Sequence, residues 1–232
     1  MVRAGAGHAA REETGAAAPE PDPKQIVAAG YDRIAERYFA WSDAQPSPVR
    51  RAWLDRALEC IPNDTDVLDL GCGAGVPMTR ALADRRRVTG VDLSARQLEL
   101  ARTNVPEATF VQADMTALEL PPESLDAVTA FYSLTHLPQA ELPGLLGAIH
   151  RWLRPGGVFI ASLGADASPD EVEDDWLGVP MFFGHPGAKR NLALLRAAGF
   201  DVETAVIEQE PEDQHDARFL WVVARTRTGA AP

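Results

Sequence analysis

Residues 66–76 read Asp-Val-Leu-Asp-Leu-Gly-Cys-Gly-Ala-Gly-Val, an apolar run entering a turn with glycine at every second position. No other segment restricts the fold as strongly. Gly71, Gly73 and Gly75 open backbone dihedrals closed to other residues and let the chain pass close to a ligand. The apolar run reads as a buried strand and the residues after the turn as a helix. A strand, a glycine turn and a helix N-terminus make the frame of a nucleotide-type pocket, with the acid Asp69 just before the turn.

The ligand is narrowed by what the turn lacks. A dinucleotide site calls for G-x-G-x-x-G, whose third glycine lets helix and strand pack closely. Here Val76 stands in that place and the third glycine comes one residue early, at Gly75. No Gly-Lys-Ser/Thr follows, so a Walker phosphate loop is excluded.

The chain has 232 residues, enough for one α/β domain with a sizeable core and too few for two comfortable ones. A hydrophobic fraction of 46% and a charged fraction of 24% are those of an ordinary globular protein. No run approaches the ~20 apolar residues of a membrane span, and the N-terminus lacks the apolar stretch of a secretory signal. Two cysteines, one of them (Cys72) inside the glycine turn, argue for a reducing, cytoplasmic setting. A net charge of −12 argues against nucleic acid or an anionic membrane as partner, because phosphates are bound by clustered Lys and Arg. The basic run Arg85–Arg87 reads as the solvated end of a helix. A small-molecule substrate is expected, and a monomer or homodimer.

Along the chain, residues 1–22 are rich in Ala, Gly, Pro and Glu without periodicity and read as a disordered tail. A single domain over 23–228 follows. It opens with two helices that form a lid over 24–60: the first over 24–40, with aromatics at helical spacing, the second over 49–60. Strands are expected at 67–70, 88–91, 109–112, 125–131 and 158–162, with helices over 77–84, 95–104 and 141–153. Strands alternating with helices mean a parallel sheet with right-handed crossovers. Residues 166–186 form a polar and aromatic insert, followed by a helix ended by Gly199. The last two strands, 201–208 and 217–225, leave no room for a helix between them, so they pair antiparallel at the sheet edge.

Asp69, Asp92 and Asp114 stand 23 and 22 residues apart, each at or beside the carboxyl end of a strand. That edge is where open α/β sheets bind ligands. The plainer alternative is that each acid caps the next helix; beside Asp92, Ser94 already offers a cap.

Asp69, Gly71, Gly73 and Gly75 match every fixed position of D/E-x-G-x-G-x-G, and the chain resembles the class I S-adenosylmethionine (SAM) methyltransferases of the small-molecule type. The phrases YDRIAERY, VLDLGCGAG, VTGVDLS, FVQADM and RPGG extend the likeness over roughly residues 24–225. The resemblance implies a Rossmann-like α/β fold: a seven-stranded, mostly parallel sheet with an antiparallel last strand and helices on both faces. It implies SAM as cofactor. The Gly71–Gly75 backbone and Asp69 would then hold the methionine half, with Asp92, followed by Leu93, taking the ribose hydroxyls. Asp114 would receive the adenine amine with Met115 packed on the ring, and Phe131 would lie near the sulfonium. Tyr31 would close over the cofactor, with Arg37 placed to meet its carboxylate.

For the transfer itself, His136 in SLTHLP is the first candidate base, since an unperturbed pKa near ~6.5 suits proton abstraction at neutral pH. His185 in the insert is the second. The alternative for His136 is a buried residue that orders the loop before Pro138. Tyr132 reads as core or as a group orienting a substrate oxygen. The apolar stretch from Trp176 to Phe183 reads as a substrate-side lid or as a packing face. No metal is expected, because the end of the fourth strand lacks the acid that metal-dependent catechol-type enzymes place there.

Two further readings stand beside methyl transfer to a small, largely apolar or aromatic molecule. A SAM-binding protein without transferase activity would keep the same positions. A nucleic acid methyltransferase would carry Asp/Asn-Pro-Pro-Tyr/Phe after the fourth strand, where this chain has Phe131-Tyr-Ser-Leu.

Overall fold

Proline and serine set the first boundaries. In the computed structural model, which describes residues 22–44, 47–212 and 215–228, helix α1 spans Pro23–Ala44. Proline is harmless in a first turn, where its missing N–H would have no partner. Helix α2 (Pro48–Cys60) repeats the device, with the Ser47 hydroxyl accepting the Arg50 N–H at 2.9 Å. The expected tail lies outside the described residues, save Asp22.

The alternating unit follows as β1 (Asp66–Leu70), α3 (Met78–Ala83), β2 (Arg87–Asp92), α4 (Ala95–Asn104), β3 (Thr109–Gln112), β4 (Leu125–Ala130), α5 (Leu142–Trp152) and β5 (Leu153–Gly164). Then come β6 (Ala167–Trp176), β7 (Val179–Pro186), α6 (Ala188–Ala197), β8 (Asp201–Glu212) and β9 (His215–Arg225). The main sheet has seven strands in the order β3-β2-β1-β4-β5-β9-β8. β1 to β5 pair in parallel, and β9 runs antiparallel to both of its neighbours. From β1 the chain moves outward through β2 and β3, then returns to place β4 on the other side. That reversal opens a crevice at the carboxyl ends of β1 and β4.

The connection from β3 to β4, where no helix was expected, holds a 3-10 turn, Met115–Ala117. Pro121 and Pro122, which donate no backbone hydrogen bond, stand in that connection. The terminal hairpin lies at the sheet edge as expected: β9, the last strand, pairs antiparallel between β5 and β8, which leaves β8 outermost and parallel to the main strands.

The two-residue period of each strand sends its side chains to opposite faces. Leu68 and Leu70 join α5 and Phe159 on one face, in a core with Trp152 and Ile149 at its centre. Val67 joins Ile160 and Trp221 on the other, under Trp53 of α2 and Leu82 of α3. Two packed layers on the sheet hold the strand ends rigid, and with them the crevice.

The insert is a β-hairpin. Leu177 and Gly178 both take positive φ, 50° and 82°, and join β6 to β7 in a two-residue turn whose twist matches that of the strands. β7 lies against α1: Met181, Phe182 and Val179 form a third core with Val27 and Ile34. The helices meet the hairpin closely, since a Cβ on Gly30 would stand 2.8 Å from Met181 Cε. Among the described residues no helix is long and apolar enough to cross a membrane.

Candidate cofactor and acceptor site

A cavity of about 460 Å³ opens over the carboxyl ends of β1, β2 and β4, roofed by α1 and the hairpin. Its volume falls in the range of small-molecule sites, roughly 300–1,000 Å³. Asp69, Gly71, Gly73, Asp92, Leu93, Asp114, Met115, Phe131, Tyr31, His136 and His185, all expected at the site, line it.

The glycine turn owes its shape to positive φ at Gly71 (70°), Gly73 (53°) and Gly75 (78°). Gly71 N–H donates to Val91 O at 2.8 Å, which ties the turn to β2. A Cβ on Gly71 would stand 2.2 Å from Ser133 Cβ, so nothing larger fits. Gly75 faces the other way. A Cβ there would meet Val105 Cγ2 at 3.1 Å on the α4 side, so this glycine serves helix packing rather than the cavity wall.

Asp69 is buried (3% exposed) and anchored: Thr79 and Thr129 hydroxyls donate to its two oxygens at 2.6 and 2.8 Å. Burial pushes its carboxyl up, and the threonines hold it back. Asp92 is half-buried and accepts backbone N–H groups from Gly73 and Ser94, each at 2.9 Å. Burial raises it to about 6 despite those two donors, with Asp69 and Asp32 adding to the rise. Ser94 does cap α4, from the Gln97 N–H at 3.1 Å, so Asp92 keeps lone pairs for a ligand.

Asp114 is committed further than its spacing suggests. One oxygen caps the 3-10 turn through Thr116 N–H at 2.8 Å, and the other pairs with Lys24 Nζ at 2.6 Å. Lys24 also meets Glu141 at 2.7 Å, so the start of α1 is latched onto this end of the cavity. Burial would raise the Asp114 carboxyl, but Lys24 and Thr116 leave it lowered.

His136 departs from the expected unperturbed base. Nδ1 lies 2.9 Å from Phe182 O and Nε2 lies 2.9 Å from the Tyr31 hydroxyl. A carbonyl oxygen only accepts, so Nδ1 carries the proton and Nε2 accepts from Tyr31. Burial lowers its pKa to about 4, only partly offset by the Phe182 carbonyl. The ring is neutral at pH 7 and bridges β7 to α1. His185 Nδ1 meets Asp166 O at the cavity rim. Arg37 leaves the site altogether: its guanidinium donates to Leu177 O and lies against Gly178, which secures the hairpin turn.

Four wall residues were not singled out as a group from the sequence: Ser47, Arg50, Tyr132 and Glu210. Glu210 falls within a run, Glu-Gln-Glu-Pro-Glu-Asp, that begins at the end of the expected strand 201–208. It is buried (6% exposed) on β8. Periodicity offered no signal for it.

Whether SAM suits this cavity can be judged from the donor set. The carboxylates Asp69 and Asp92 flank the glycine turn, where a pyrophosphate would be repelled and a cationic sulfonium and ammonium favoured. Beside Gly73 the buried amide of Gln97 has neither its nitrogen nor its oxygen hydrogen-bonded among the described residues, so a polar ligand group has a partner waiting. These residues fit SAM.

Comparison with known proteins agrees. Residues 67–157 match the family described as a methyltransferase domain. The chain is 32% identical over 163 residues to the malonyl-[acyl-carrier protein] O-methyltransferase of Enterobacter lignolyticus, covering 68% of this chain and 61% of that one. It spans 43% to 61% of the length of such curated relatives. Among solved structures, the Burkholderia thailandensis 1,6-didemethyltoxoflavin-N1-methyltransferase, with S-adenosylhomocysteine bound, superimposes with a TM-score of 0.65 at 23% identity, covering 91% of this chain and 93% of that one. The [4+2]-cyclase SpnF gives 0.70 at 20%, covering 90% and 97%. Strand order and these likenesses converge: residues 67–157 match a methyltransferase domain, set in a fold shared with SAM-dependent methyltransferases of known structure.

Proposed function

We propose that this chain transfers the methyl group of SAM to a small-molecule acceptor. The observation that carries the reading is one continuous cavity that joins the acid-flanked glycine turn to a far wall of aromatic and polar side chains. When bound, SAM supplies an electrophilic methyl on a sulfonium. Asp92 accepts the ribose hydroxyls on the lone pairs left by Gly73 and Ser94. Asp114 would accept the adenine amine, Leu93 and Met115 would pack on the rings, and Phe131 would border the reacting end, all of them lining the cavity. Phe131 is held edge-on against Trp221 at 4.7 Å, so its position is set by the core.

The roof excludes water, which strengthens every electrostatic contact beneath it. His136 works here as a positioning residue. It holds the Tyr31 hydroxyl over the cavity and fixes the hairpin through Phe182, and a neutral ring with a pKa of about 4 is a poor proton acceptor. Rate enhancement then rests on alignment, which can supply ~7–11 kcal/mol when complete.

The relatives act on different acceptors by name, a malonyl carrier protein and 2-phytyl-1,4-naphtoquinone among them, so they support the reaction type without choosing the acceptor. A cyclase shares the fold, so the test must measure transfer as well as binding. Calorimetry with SAM, S-adenosylhomocysteine and NADH comes first, followed by incubation with methyl-labelled SAM and a metabolite extract. SAM binding and a labelled small product are expected. Binding of NADH in place of SAM would dismiss the cofactor. Tight SAM binding with no labelled product would make the chain a non-transferring SAM binder.

A further inference from the structure

The far wall of the cavity is built around a strained tyrosine. Tyr132 takes φ 58°, a region that bulky residues rarely enter. Its N–H donates to Ser162 Oγ at 2.7 Å, and its ring is wedged edge-on against Phe219 at 5.0 Å and Trp221 at 5.3 Å. A non-glycine residue persists in such a conformation only where its surroundings over-determine it, a feature that clusters at ligand sites. The effect is to send the phenol hydroxyl to the buried Glu210 carboxylate, at 2.6 Å from Oε1 and 2.9 Å from Oε2.

Glu210 is short of donors. Ser47 adds one hydroxyl at 3.1 Å, again to Oε1. A carboxylate has about four acceptor sites, and among the described residues Oε2 receives only the shared tyrosine proton. Arg50 stands over the Tyr132 ring, its guanidinium carbon 5.5 Å from the centroid. Nη1 donates to Ser42 O at 3.3 Å, the guanidinium also interacts with the Tyr132 hydroxyl, and Nε has no partner among the described residues. The wall therefore sets a carboxylate with spare acceptor capacity and a guanidinium against one tyrosine.

The two charges restrict what can sit there. An anionic acceptor drawn to Arg50 would be repelled by Glu210, and an ammonium drawn to Glu210 would be repelled by Arg50. A neutral molecule with both edges satisfies both groups, and a flat one fits against the tyrosine ring. We propose that Arg50, Tyr132 and Glu210 form the acceptor subsite, and that it takes a planar, uncharged nitrogen heterocycle presenting an N–H to Glu210 and a carbonyl oxygen to Arg50. This rests on the reading of the same cavity as a methyltransferase site and adds the class of acceptor.

The test is calorimetry on the full chain, with and without S-adenosylhomocysteine, using lumazine, xanthine and uracil against 1,3-dimethyllumazine, caffeine and 1,3-dimethyluracil. Binding of at least one N–H heterocycle is expected, with its N-methylated counterpart about tenfold weaker or worse, because a site built for hydrogen bonds rejects an analogue lacking them. That comparison needs no variant and survives any folding defect. Glu210→Gln and Arg50→Met should each weaken the heterocycle about tenfold while leaving S-adenosylhomocysteine affinity within about threefold. Equal binding of the N-methylated compounds, variants that bind like the parent, or no binding by any of the three heterocycles would overturn the subsite. Heterocycle binding that the variants lose, without any binding of S-adenosylhomocysteine, would keep the subsite and remove the methyl-transfer reading. Cofactor binding without heterocycle binding would do the reverse.

Discussion

The wall at the glycine turn is largely backbone, whereas the wall at Tyr132 is entirely side chain. At the turn, Gly71, Gly73 and the strand-end acids come from one continuous strand–turn–helix–strand unit, and short backbone hydrogen bonds set their geometry. At the far wall, Ser47, Arg50, Tyr132 and Glu210 come from three separate stretches of chain and meet only because α2, β4 and β8 pack together. A backbone wall tolerates little substitution and recognises one ligand. A side-chain wall can be rebuilt on the same frame, which is how one fold carries many acceptors.

The contrast is most exposed at Gly71. Gly71→Ala should destabilise the protein by about 3 kcal/mol, from overpacking against Ser133 together with a positive φ. Gly144→Ala on α5, where a Cβ meets nothing within 4 Å, should stabilise it by about 0.5–1 kcal/mol. Urea denaturation of both measures the difference, and a tolerant Gly71 would erase the distinction between the walls.

Asp92→Ala should lower SAM affinity about 100-fold, or about 2.7 kcal/mol, since it removes charged hydrogen bonds to the ligand and the anchor of Gly73. Calorimetry reads it directly, and an unchanged affinity would remove Asp92 from the donor half.

His136 is stabilising while neutral. Its folded pKa of about 4 lies below the unfolded value near ~6.5, so the unfolded chain binds the extra proton between them. Its contribution is complete above pH ~6.5 and falls by about 2 kcal/mol between pH 7 and 5. Asp92 works in the opposite sense. With its carboxyl raised to about 6, its ionisation costs stability as pH climbs through the same window. The parent protein should therefore show little net slope from this pair, and His136→Gln should uncover a stability that declines as pH rises. Thermal melts from pH 5 to 7 decide it; matching slopes in parent and variant would return the histidine to an unperturbed state.

The same Asp92 value sets a binding profile. Ribose hydroxyls donate to a carboxylate, so SAM affinity should drop about fivefold between pH 6 and 5 and be flat in Asp92→Asn. The smallest effect belongs to Arg37→Ala, which loses an exposed contact to the hairpin turn. It should cost under about 1 kcal/mol and leave SAM affinity unchanged, as a calorimetric titration would show. A large loss of affinity would restore Arg37 to the cofactor.

Much of the donor half was legible in sequence because its determinants are local. Glycine spacing dictates dihedrals, strand ends fall where apolar runs stop, and the 23- and 22-residue spacing of Asp69, Asp92 and Asp114 follows from one strand and one crossover each. What the sequence did not show shares a cause as well. Gly75 keeps the motif spacing but turns to α4, and Asp114 keeps its place but is held by Lys24, a residue 90 positions away. His136 sits where a base was expected, yet Tyr31 and Phe182, 105 and 46 positions away, take both its nitrogens.

The sequence by itself determined the sheet and the glycine turn, because dihedral limits and the alternation of apolar residues act between near neighbours, and its resemblance to the SAM methyltransferases named the donor. Tertiary structure alone decided which polar groups lose water. Glu210 is one more acid in an acidic run until Tyr132, 78 residues away, and Ser47, 163 residues away, close over it. Burial turns an ordinary carboxylate into a recognition group, because an unsatisfied charge in a low-dielectric wall is costly. That environment is set by packing between distant segments, and no local pattern encodes it.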